Sequence, residues 1–306
     1  MRSVNEVSES HGENHDEKTL TPAKNHMEAY RRRTKAENPD APAGILTRLS
    51  EDTDWVVRQK VSENPNTPAE VLSRLSEDEN WKVRCAVAAN LYTPTEVLDR
   101  LSKDEVSSVR ENVALNPLTP PETLTWLSED EDWNVRAGVA RNPTSPAEVL
   151  NHLSEDENLD VRWKASANSH TPSEALARLS KNKNYRIRQQ VAYNLNAPKA
   201  ILNDLSVDPS SDVRREVAGN PVASVKVLTR LSGDEDPWVR WGVANNPNTA
   251  AETLTRLSED DDPGVRLSVA FNPLAPAGIL ARLSEDEDRD VRDSAQKALA
   301  TRQNAS

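Results

Sequence analysis

The chain repeats itself. A hydrophobic–Arg pair stands at Val57-Arg58, Val83-Arg84, Val109-Arg110, Val135-Arg136, Val161-Arg162, Ile187-Arg188, Val213-Arg214, Val239-Arg240, Val265-Arg266 and Val291-Arg292. Successive copies are 26 residues apart with no insertion anywhere. A fixed period of this size means a solenoid, because one short unit cannot bury its own apolar face and must stack on its neighbours. One unit reads "TPAEVLSRLSEDENWKVRCAVAANLY", residues 67–92. Thr67, Pro68 and Glu70 read as an N-cap, a first helical position and a capping box. Val71, Leu72 and Leu75 share one helical face, which predicts helix A over 68–76. Val83, Val87 and Ala88 share another, which predicts helix B over 80–89. Asn90 ends it, and in most units a proline follows and enforces the stop. Each helix is too short to persist without neighbours, and either could be shortened or 3₁₀.

The pattern V-R-x-x-V-A-x-N-P-x-T-P-x-x-x-L-x-x-L-S-x-D resembles the leucine-rich repeat variant family. Residues 135–156, "VRAGVARNPTSPAEVLNHLSED", carry it nearly whole, and the resemblance spans about residues 38–298. It implies a right-handed, all-helical superhelix without β-structure. Some relatives carry an N-terminal cysteine-rich iron–sulfur module, but residues 1–37 here contain no cysteine. The expected fold class is therefore all-α: ten two-helix repeats, α/α or α/3₁₀. The expected organisation is a disordered tail over 1–20, a capping helix over 21–37, the solenoid over 38–290, and a capping helix and tail over 291–306. In the first cap, Thr21 begins the helix, Met27 and Tyr30 cover the first unit, and Arg31, Arg32 and Arg33 form a solvated basic face. In the last, Lys297 and Arg302 face water.

Composition narrows the function classes. Net charge is -12, which disfavours a bare nucleic-acid backbone as partner. The single cysteine, Cys85, excludes a disulfide framework or a Cys-rich metal centre within one chain. No apolar run is long enough for a membrane span, and the N-terminus shows no secretory h-region. The expectation is a cytoplasmic monomer without cofactor or metal.

One stretch looks like a site. In "LSEDEDWNVRAGVARNP", residues 127–143, four carboxylates run into Trp133 and Arg136. Yet the Asp recurs at 52, 78, 104, 130, 156, 208, 234, 260 and 286, with Asn182 the one break. A feature repeated this often is structural: the Arg leaves helix B near its apolar side, and the Asp is its natural partner. The recurring Asn, from Asn38 to Asn272, is expected to tie units together through its amide. The recurring Ser is a possible cap for helix B, as Ser76 before Glu79. Trp55, Trp81, Trp133, Leu159 and Tyr185, two residues before the Val, read as packing. The Arg that precedes the last Leu of helix A in most units reads as a solvated partner of the acidic turns.

Function is sought where stacking does not fix the residue. Two and six residues after each Val, one face of helix B varies freely. It carries Arg141, Trp163, Tyr193, Trp241, Leu267 and Phe271, the candidate binding residues. The reading is a non-enzymatic scaffold holding a protein or peptide along this stripe. The alternatives are a nucleic-acid binder of the helical-repeat alkylation-repair kind and a self-assembling structural protein.

Overall fold

A computed structural model describes residues 22–303. The tail over 1–20 and the cap at Thr21 lie outside the described residues. A single helix, α1 (Pro22–Glu37), precedes ten helix pairs. The first helices of the pairs, the A layer, are α2 (Ala43–Leu49), α4 (Ala69–Leu75), α6 (Thr95–Leu101), α8 (Pro121–Leu127), α10 (Ala147–Leu153), α12 (Ser173–Leu179), α14 (Lys199–Leu205), α16 (Val225–Leu231), α18 (Ala251–Leu257) and α20 (Ala277–Leu283). The second helices, the B layer, are α3 (Trp55–Glu63), α5 (Trp81–Ala89), α7 (Ser107–Leu115), α9 (Trp133–Arg141), α11 (Leu159–Ala167), α13 (Tyr185–Tyr193), α15 (Ser211–Gly219), α17 (Pro237–Asn245), α19 (Pro263–Phe271) and α21 (Arg289–Gln303). Both layers are α-helical, and there is no strand among the described residues.

Each unit buries the residues its periodicity singles out. In the second unit Val71, Leu72, Val83, Val87 and Ala88 are all buried. The helix starts, however, use different residues from those expected. Thr67 does not cap α4: it is buried, and its hydroxyl donates to the Val61 carbonyl at 2.5 Å, in the last turn of α3. Pro68 takes the cap position in extended conformation, with no side-chain cap. A hydroxyl that satisfies an orphan carbonyl of the helix before is not free to accept from the helix after. Nor does Ser76 cap helix B. It closes α4 by donating to the Ser73 carbonyl at 2.6 Å, and Asn80 caps α5 by accepting from the Lys82 amide at 3.0 Å.

Two polar ladders run the length of the stack. In the first, each recurring Asn from Asn64 to Asn272 reaches back one unit. Asn142 Nδ2 donates to the Ala114 and Asn116 carbonyls at 2.7 and 2.9 Å, while its Oδ1 accepts from the Thr144 amide at 2.9 Å. One buried side chain thus satisfies a helix end, a turn and its own loop. In the second, each Arg from Arg32 to Arg266 other than Arg162 reaches forward. Arg136 grips the Asp156 carboxylate bidentately, at 2.6 and 3.1 Å, and its Nη1 donates to the Asp130 carbonyl of its own turn at 2.8 Å. The partner is therefore the Asp of the following unit, and the Asp130 carboxylate belongs to Arg110.

The B helices pack directly on one another, whereas A helices barely touch. Small residues permit this. At Gly138 an added Cβ would stand 3.0 Å from the Ala114 Cβ, so α7 and α9 approach as closely as their backbones allow. A stack whose two layers differ in spacing bends with the tighter layer inside, which puts the B helices on the concave side.

The ends depart from expectation. Met27 and Tyr30 are more than half exposed, at 55 and 59%, and belong to no part of the buried core. Arg32 is not a solvated charge: it pairs with Asp52 at 2.6 Å, and Arg33 pairs with Asp54 at 2.7 Å. Arg32 stands one period before Arg58, so α1 stands in the register of the B layer, and it contributes the first rung among the described residues. At the other end Arg302 turns back to donate to the Pro273 carbonyl at 2.8 Å and also reaches Ala275, closing the last turn rather than facing water.

Candidate functional site

The acidic cluster of residues 129–132 resolves into four separate structural roles. Asp130 is the rung for Arg110, at 2.6 Å. Asp132 caps α9 by accepting from the Asn134 amide at 2.9 Å. Glu131 lies 3.9 Å from the same Arg110, on its solvent side, and Glu129 lies 3.2 Å from His152 Nε2. No group of three or more metal-ligating side chains gathers among the described residues. No described helix is long and apolar enough to cross a membrane.

The six stripe residues divide into two kinds. Tyr193, Trp241 and Phe271 are exposed by 63, 41 and 65%, and Arg141 is also exposed. Trp163 and Leu267 are instead partly buried and lean on the core. Register accounts for all but Trp241: six residues after the Val a side chain leaves the helix at its outer end, while two residues after it the neighbouring helix is within reach, yet Trp241, in that second register, stays exposed. Trp163 is further held by Lys164, whose Nζ lies 4.5 Å from the ring centroid. Trp241 has a partner in its own helix, Trp238, edge-on at 6.2 Å between centroids.

The rings two residues before the Val are more exposed than packing requires. Trp81, Trp133, Leu159 and Tyr185 sit at the first position of their helices and are about two-fifths exposed. They form a second row of large side chains along the N-terminal edge of the B layer. Lys82 Nζ stands 4.8 Å from the Trp55 centroid and 5.7 Å from that of Trp81, joining the first two. Trp126 is also exposed, on helix A, at the slot where most units place an Arg. Those arginines are more than solvated charges, since Arg178 and Arg230 reach the Ser of the unit before at 3.0 and 2.6 Å. Their recurrence identified the slot, but not the bond.

The rows meet at a cavity of about 570 Å³ between α11 and α13, lined by Leu159, Trp163, Arg186, Gln189 and Tyr193. It opens where the stacking is thinnest. Ala165 and Ala175 fill slots that hold Val in the units before, at Val139 and Val149. The apolar core runs unbroken from Ala36 to Ala165 and again from Leu176 to Ala295, divided at this junction. Cys85, at a stripe position, carries a thiol pushed up to about 11 by burial and by the nearby Asp104, so it is not a ready nucleophile at neutral pH.

Residues 133–158, one period of the array, match the leucine rich repeat variant family. A solved structure described as a leucine-rich repeat variant with a novel repetitive structural motif is similar to this chain. It shows 28% identity and a TM-score of 0.53, covering 72% of this chain and 87% of that one. An engineered protein is similar at 20% identity and a TM-score of 0.39, covering 92% of this chain and 96% of that one. Importin beta is similar at 13% identity and a TM-score of 0.39, covering 92% of this chain and 49% of that one. No curated protein matches the sequence.

Proposed function

We propose that this member of the leucine-rich repeat variant family is an interaction scaffold that holds an extended protein segment along its B layer and carries no catalytic chemistry of its own. The observation that supports this is the division of labour among side chains. The recurring Arg, Asp, Asn and Ser are largely consumed by the ladders and helix ends, while Tyr193, Trp241 and Phe271 stay exposed along the B layer. Exposed aromatic rings on a rigid concave layer favour a partner that spans several units over a small metabolite. The nucleic-acid alternative has against it the acidic turns that rim the same layer. Monomeric behaviour is favoured by Arg302, which closes the carbonyls of the last turn against end-to-end stacking.

The test is capture of partner segments from a peptide array by wild type and by the triple variant Tyr193→Ala, Trp241→Ala, Phe271→Ala. Loss of capture with an unchanged unfolding midpoint supports the stripe. Capture equal to wild type sinks it. Trp163 and Leu267 are poor probes, because their removal also opens the core.

A further inference from the structure

Arg162 is the one internal arginine of the ladder with no carboxylate. Its counterparts in other units have up to two. Arg136 takes Asp156 bidentately and has Glu157 at 3.7 Å on the outer face of Nη2. Arg84, Arg110, Arg214 and Arg266 likewise hold the next unit's Asp at 2.6–2.8 Å and its following Glu at 3.4–3.9 Å. For Arg162 the corresponding residues are Asn182 and Lys183. Its Nη1 keeps the Asp156 and Glu157 carbonyls, at 2.5 and 3.0 Å, so the guanidinium is held in the ladder geometry. Its Nε is buried with no partner.

The turn beside it adds charge of the same sign. The sixth unit's turn reads Ser180-Lys181-Asn182-Lys183-Asn184, where the fifth reads Ser154-Glu155-Asp156-Glu157-Asn158. Lys181, Lys183 and Arg186 are exposed. The cavity between α11 and α13 starts at the last residue of this turn: Asn184 and Arg186 line it together with Asp160 and Glu216, Glu216 being held by Gln189 at 3.0 Å, and Trp163 and Tyr193 lie within it. A chain of net charge -12 thus gathers its basic turn, its unfilled rung and a cavity of about 570 Å³ at one junction.

We propose that this junction receives an acidic side chain of the bound protein segment. A partner Glu or Asp completes the rung on Arg162 from the outer side, the side on which Glu157 approaches Arg136, and an adjacent apolar residue enters the cavity against Trp163 and Tyr193. The partner is an acidic peptide, which rests on the scaffold reading above and adds the register: the sixth unit fixes where along the B layer the segment sits. A guanidinium preset by two backbone carbonyls loses little freedom when it binds, so the carboxylate contributes selectivity as well as affinity.

The experiment is a fluorescence-anisotropy titration with array peptides in matched pairs, each Glu replaced by Gln in the second member. Three proteins are compared: wild type, Asn182→Asp, and Lys183→Glu. Wild type is expected to prefer the Glu member by about tenfold, the effect of one charge-assisted pair. Asn182→Asp fills the rung from within and Lys183→Glu refills its outer face, so each should abolish the preference while still binding the Gln member. Equal binding of Glu and Gln members to wild type overturns the open-rung reading and leaves the scaffold reading standing. A preference that survives both substitutions overturns it too, placing the acid elsewhere. If a short single-stranded oligonucleotide competes better than the Glu peptides, the site takes phosphate and the proposal is wrong. An array from which wild type captures nothing overturns both readings.

Discussion

At the scale of single residues the geometry turns a recurring motif into specific energetic statements. Removing Arg136 strands the Asp156 carboxylate and leaves the Asp130 and Glu131 carbonyls without a donor. Arg136→Ala should therefore lower stability by about 2–4 kcal/mol. A double-mutant cycle with Asp156→Ala should show strong coupling, and one with Asp130→Ala much less. Coupling to Asp130 instead would contradict the forward direction of the ladder. Asn182→Asp should act in the opposite sense, raising stability by about 1 kcal/mol by giving Arg162 its missing partner. The ladder also fixes the pH response. The Arg266 hydrogen bond holds Asp286 below the usual carboxylate range. Burial pushes Asp208 and Asp260 up, but hydrogen bonds from Arg188 and Arg240, with backbone amides, outweigh it and leave both lowered. Groups depressed in the folded state give stability that is complete above the unfolded carboxylate value and is lost as pH falls through the folded ones. The thermal midpoint should be flat near neutrality and drop below about pH 4. A midpoint that rises on acidification would remove the rungs from the account.

At the scale of the helix and its turn, position decides which polar side chain does what. Asn80 and Ser76 both stand near the start of α5, yet only Asn80 reaches an orphan amide, that of Lys82 at 3.0 Å. Asn80→Ala should cost about 1 kcal/mol, whereas Ser76→Ala should leave the cap of α5 untouched. Differential hydrogen exchange at the Lys82 amide separates the two. Asn142→Asp is the sharper change, because it removes the amide donor from the Ala114 and Asn116 carbonyls and brings a charge into a buried site. A loss of several kcal/mol is expected in chemical denaturation. That the Asn tied units together was legible from its recurrence even where no proline follows it, at Asn90, Asn168 and Asn194. The double duty of Thr67 was not, since a Thr before a Pro reads as a cap until the preceding helix is placed beside it.

At the scale of the whole molecule the array is a row of nearest-neighbour interfaces, and the weakest decides how it comes apart. The junction between α11 and α13 combines the vacant rung, the small Ala165 and Ala175, and the break between the two apolar cores. Denaturation followed by site-specific probes should show two blocks, one before and one after this junction, with unequal midpoints. Asn182→Asp should bring them together. Coincident transitions in wild type at every probe would show that the junction is as strong as the others. The period, the all-helical class and the identity of the core Val, Leu and Ala were determined by the sequence alone, because a repeat imposes the same burial on the same letters ten times. So was the structural nature of the acidic cluster, since a site is not repeated in every unit. What only the tertiary structure decided was direction and depth: that each Arg reaches forward and each Asn back, that Arg32 begins the ladder, that Trp163 leans on the core while Tyr193 does not, and that Asn182 leaves a guanidinium without its acid. These depend on which unit's atoms come within hydrogen-bonding reach. Residues 20 or 28 apart along the chain meet only once the spacing of the B helices is set, and no single unit carries that spacing in its letters.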